Sequence, residues 1–158
     1  MPTFEHSFTV AAPLEAVQAF HASTEALKRL TPPPIFVDLH EVEPLGEGSN
    51  SHFTMWFGPV PVRWHARHVD VDESGFTDVQ IAGPLQSWRH THTYTALDDR
   101  RTRIEDRIEY SYPNGVRGLP ARLAFNGPGL ALLFAYRGWM TRRALGAGTH
   151  RLPLLLAA

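Results

Sequence analysis

The sequence predicts an α+β domain in which a curved antiparallel sheet wraps one long C-terminal helix. Three observations predict it. The chain opens with a period-two segment. A run of alternating segments joined by short turns fills Ile35 to Tyr112. One long apolar-striped segment follows a Pro/Gly-rich stretch near the end. With 158 residues, 43% of them hydrophobic and 20% charged, the chain suits one domain with one core. We read residues 1–147 as that domain and 148–158 as a mobile tail.

Thr3 to Val10 alternates Phe4, His6, Phe8 and Val10 with polar neighbours, the mark of a half-buried strand. Pro13 suits the first turn of a helix, which Leu14, Val17 and Phe20 continue. A second short helix starts at Ser23 or Thr24, with Leu27 and Leu30 inward, and Pro32-Pro33-Pro34 stops it. Six strands follow: Ile35–Val42, Asn50–Phe57, Val60–Val71, Phe76–Ile81, Leu85–Leu97 and Thr102–Tyr112, joined at turn residues such as Gly58-Pro59 and Asp98-Asp99. Hairpin geometry at Gly58-Pro59 pairs Met55 with Val62 and Phe53 with Trp64, and turns Trp56 outward. Pro113 to Gly129 reads as a loop with a helical turn near Leu119 to Leu123. The last helix opens at Pro128 or Gly129 and runs to about Leu145. Leu130, Leu133, Phe134, Arg137 and Met140 make one stripe and Leu132, Tyr136 and Trp139 a second, so this helix is expected to be buried on more than one side.

Composition excludes several functions. Fifteen basic residues against sixteen acidic ones provide no electrostatic footprint for nucleic acid. The absence of cysteine removes disulfides, thiolate nucleophiles and Cys-type zinc sites. No apolar run approaches a membrane span, and the opening residues do not form a signal peptide, so a cytoplasmic location is expected. Gly127-Pro128-Gly129 lacks the spacing and lysine of a phosphate loop, and no G-x-S-x-G elbow occurs. No cofactor is expected.

Parity places the chemistry on one face. Trp88, His90, His92 and Tyr94 share a side of their strand, and Ile104, Asp106, Ile108 and Tyr110 share a side of the next. Arg103, Glu105, Arg107 and Glu109 alternate out of phase and belong to solvent. A buried Asp106 needs a donor, and the hairpin offers His92 or Tyr94. The bond is structural, or it anchors a ligand, or it is an acid–base pair with His92 or Tyr94 in the reacting role and Asp106 orienting it. His90-x-His92 with Asp106 also has the composition of a two-histidine, one-carboxylate metal site, but no third histidine or glutamate is clearly placed beside it, and no metal is expected. Phe76, Asp78 and Gln80 share the inner face and bring polar groups near the pocket mouth. Arg137 interrupts an apolar stripe. It either snorkels to a rim carboxylate or holds the acidic head group of a ligand. A sheet curled around one helix leaves a cavity, expected to be lined by some of Trp64, Trp88, His90, His92, Tyr94, Tyr110, Phe125, Leu133 and Arg137, with Asp106 a further ligand-binding candidate.

The element order, with Gly83-Pro84-Leu85, Trp88, His90, His92, Tyr94, Thr102, Asp106, Glu109-Tyr110, Pro113 and Phe134-x-Tyr136-Arg137, resembles the START-like (SRPBCC) superfamily, and within it a bacterial cyclase/dehydrase-like or "cell division inhibitor"-like subgroup. The resemblance covers Thr3 to about Leu145. It implies the helix-grip fold and an apolar or aromatic small-molecule ligand, bound by a monomer or weak homodimer without a cofactor. Two other uses of the same cavity stay open: a cyclase/dehydratase-type enzyme, and a protein-interaction domain in which the cavity is vestigial.

Overall fold

The computed structural model describes residues 1–146, so the expected tail at 148–158 lies outside the described residues. The order is β1 (Thr3–Val10), α1 (Leu14–His21), α2 (Thr24–Arg29), β2 (Ile35–Val42), β3 (Asn50–Phe57), β4 (Val60–Asp72), β5 (Gly75–Ala82), β6 (Ser87–Asp98), β7 (Arg101–Ser111), a 3₁₀ turn (Gly115–Gly118), α3 (Leu119–Ala124) and α4 (Gly127–Gly146). The seven strands form one antiparallel sheet in the order β1-β7-β6-β5-β4-β3-β2. This is the α+β helix-grip architecture the sequence predicts.

Register follows the turns. Phe53 pairs with Trp64, Met55 with Val62, and His92 with Asp106. β1 then lies along β7 and sets His6 opposite Asp106. Local chemistry explains the boundaries. Ser23 caps α2 by accepting from the Glu25 amide, and Asn126 accepts from the Gly129 amide at the start of α4. At the β4–β5 turn the Asp72 carboxylate accepts from the amides of Ser74 and Gly75. Gly75 has φ +151°, and a Cβ there would collide with the carbonyl oxygen of His92. A glycine is needed because β5 and β6 approach too closely for a side chain.

The core lies between sheet and helices in two parts. Phe53, Trp64, Trp88, Ile108, Phe125, Leu130 and Phe134 fill the centre. Phe8, Val10, Val17, Phe76, Tyr94 and Ile104 close the end beneath α1. Leu130 and Phe134 on α4 are fully buried.

One expectation about α4 is corrected. Its first stripe packs inward, but Leu132 is 74% exposed and Trp139 52%. The helix is buried on one side, because described residues cover only the face turned to the sheet. Tyr136 and Trp139 form a ring pair on the outside, with Arg143 over the Trp139 ring. The double substitution Leu132→Gln/Trp139→Ser is therefore expected to change stability by no more than about 1 kcal/mol in thermal denaturation, as surface changes do. A loss of several degrees would show that this face is packed.

Candidate functional site

β4 to β7 each contribute one or two polar side chains to the concave face, and those side chains touch in sequence. Ser49, just before β3, contacts Nδ1 of His68 through its hydroxyl at 2.9 Å. Nε2 of His68 lies 3.1 Å from Oδ1 of Asp78, and Oδ2 of Asp78 lies 3.3 Å from Nε2 of His92. Nδ1 of His92 is 2.9 Å from Oδ1 of Asp106, and Nε2 of His90 donates to that same oxygen at 3.0 Å. Acids and bases thus alternate along one chain: His68, Asp78, His92, Asp106, His90. The His92–Asp106 contact is close but off-line for its N–H, so it acts as an ion pair rather than a well-aimed hydrogen bond.

Burial sets the charges. Desolvation alone would lower the pKa of His92, but Asp106 and Asp78 on its two sides outweigh it and raise it to about 9. His90 is lowered to about 4 by burial and by its charged neighbour His92, although Asp106 opposes this. Burial would raise Asp106 and Asp78, yet the histidines on each hold both below the usual carboxylate range. His68 is raised, its burial overcome by Asp78. His21, at the end of α1, is lowered to about 4 by burial and by His92. Near neutrality His92 is therefore an imidazolium held between two carboxylates, with His90 and His21 neutral beside it.

A cavity of about 180 Å³ lies against this chain, between the sheet, α2 and α4. Trp64, Trp88, His90, His92, Phe125, Leu133 and Arg137 line it, as do Phe53, Met55, Leu30, Asp78 and His68. Three candidates lie elsewhere. Asp106 is buried behind the two histidines, Tyr110 packs against Trp88 and Tyr112, and Tyr94 belongs to the core under α1. Asp106 does not bond Tyr94, whose buried hydroxyl has no partner among the described residues. It takes both histidines because His92 stands directly across from it and His90 is the next inward residue along β6. Among the described residues Arg137 pairs with no rim carboxylate; the Phe134 ring lies 5.0 Å below its guanidinium.

Two cavity-lining positions, His68 and His21, and the pairing of a third, Asp78, escaped the sequence reading. His68 continues the inward parity of Trp64 and Ala66, and His21 stands four residues after the buried Val17, so both had a signal. Asp78 was placed on the inner face, but its pairing with His92 depends on the β5–β6 register, which parity alone does not fix. Asp78, His90 and His92 each offer a ligand atom within 4.8 Å of the others, so among the described residues the trio able to hold a metal ion contains Asp78 and not Asp106.

No protein-family model and no curated protein sequence matches the chain. Solved structures do. The aromatase/cyclase Zhui from Streptomyces sp. R1128 is 20% identical with a TM-score of 0.66, over 93% of this chain and 98% of that one. A START superfamily protein from Mycobacterium smegmatis is 10% identical with a TM-score of 0.69, over 93% and 99%. A nucleoside-diphosphate sugar epimerase from Corynebacterium glutamicum is 27% identical with a TM-score of 0.65, over 90% of this chain but only 29% of that protein. No helix of the described residues is long and apolar enough to cross a membrane. Sheet order, gripped helix and these likenesses together give the chain the START-like (SRPBCC) fold.

Proposed function

We propose that the chain binds an apolar or aromatic small molecule in the cavity between the sheet and α4. The observation that carries this reading is the cavity itself. Aromatic and aliphatic side chains form most of its wall, and a few polar groups converge at one end. Native mass spectrometry of freshly purified protein tests it, together with binding of the neutral dye Nile red. Wild-type protein is expected to carry a non-covalent adduct or take up the dye. Ala66→Phe, which fills the cavity from β4, is expected to do neither while still melting cooperatively. Failure of the wild type on both counts would remove the reading and leave a protein-interaction domain.

A second reading is favoured by the acid–base chain that ends at the cavity wall: a cyclase/dehydratase-type enzyme. His92 would move the proton, and Asp106 would orient it. Tyr94 is less suited, since it stands outside the wall. Loss of water from a β-hydroxy thioester, abolished in His92→Gln, would support it.

A further inference from the structure

We propose that the ligand is an organic acid, a monocarboxylate with a compact apolar tail, whose carboxylate is held by Arg137. This rests on reading the cavity as a ligand site. Arg137 projects from α4 into the cavity wall beside Leu133 and Phe134. Its Nε is buried without a hydrogen-bond partner. Among the described residues the guanidinium makes no hydrogen bond and no ion pair, and its neighbour is the Phe134 ring.

The nearby carboxylates make their direct contacts elsewhere. Asp106 is taken by His90 and His92, and Asp78 by His68 and His92. They act on the half-buried guanidinium only through space, whereas a carboxylate ligand would give it directly hydrogen-bonded oxygens. The planar fork of guanidinium N–H groups matches a carboxylate. One unpaired guanidinium suits a monoanion better than a phosphate dianion.

The remaining space sets the tail. A cavity of about 180 Å³ is close to the engineered apolar cavity of roughly 150 Å³ that takes up benzene. It admits one ring or a short alkyl chain. Leu30, Phe53, Trp64, Trp88 and Phe125 would surround either.

Calorimetric titration at pH 7 with octanoate against octanol, and 3-phenylpropionate against 3-phenylpropanol, tests this and separates the two tails. In at least one pair the acid is expected to bind roughly tenfold or more tightly than the alcohol, the worth of one charge-assisted hydrogen bond. Arg137→Met should bring the pair to within about twofold, and Arg137→Lys should keep part of the preference. Arg137→Met should still melt cooperatively, within a few degrees of wild type, since the half-buried guanidinium makes no hydrogen bond or ion pair among the described residues. Acid and alcohol binding equally in the wild type, or a preference that survives Arg137→Met, overturns the assignment and leaves the proposed function standing. No binding of any of the four, in a protein that takes up Nile red, also overturns it; no binding of the dye either removes both.

Discussion

Asp106→Ala is expected to cost about 3–5 kcal/mol of stability, roughly 10 °C or more in melting temperature for a domain of this size. One oxygen of Asp106 meets both His90 and His92, and the side chain is only 6% exposed. Without it His90 loses its acceptor, and His92 keeps a buried positive charge facing Asp78 alone. Asp106→Asn preserves shape and one acceptor oxygen, so it should lose less. Asp98→Ala is the control. Asp98 also contacts an arginine, but both side chains are exposed, and the change should leave the melting temperature close to that of wild type. Thermal denaturation of the three variants decides the matter. A melting temperature of Asp106→Ala within a degree or two of wild type would mean that the histidines do not depend on this carboxylate.

The melting temperature is also expected to peak near pH 6.5 and to fall on both sides. His92 is raised to about 9 in the folded protein, from an ordinary 6.5. Between those values the folded state holds a proton that the unfolded state has lost, so stability falls as pH rises, by on the order of 3 kcal/mol. His90 and His21 are lowered to about 4. From 6.5 down to 4 the unfolded state binds protons that the folded state refuses, so stability also falls as pH falls. Asp106 and Asp78 are held low, and they add to the acid loss below the usual carboxylate range. In Asp106→Asn the alkaline slope should flatten, because one of the two carboxylates that keep the His92 proton is gone. An alkaline limb that is flat in the wild type, from pH 6.5 to 9, would overturn the assignment of a charged His92.

Much of this architecture was legible in the sequence because strands and hairpins obey local rules. Period two gave the facing of Trp88, His90, His92 and Asp106, and the Gly58-Pro59 turn gave the Phe53–Trp64 pairing. The partner of Asp106 was half legible. His92 stands directly across the hairpin, but the choice of His90 over Tyr94 as second partner depends on side-chain rotamers. Asp78 and His68 come from strands one and two further along the sheet, and their meeting with His92 needs two more registers to be known. On α4 the sequence reading overreached. Apolar composition on two sides of a helix says what could be buried, not how many neighbours there are to bury it.

The sheet order has a consequence for how the molecule comes to exist. β6 and β7 are neighbours in sequence, so the hairpin carrying His90, His92 and Asp106 closes over a short loop and can set its register early. β1 must instead find β7 across about a hundred residues, with Thr3 paired to Glu109, and α4 is made later still. Such distant pairings slow folding. A chain emerging from the ribosome therefore holds its first strand unpaired until almost the whole domain has been synthesised, with the apolar edges of Phe4, Phe8 and Val10 waiting for a partner that comes late.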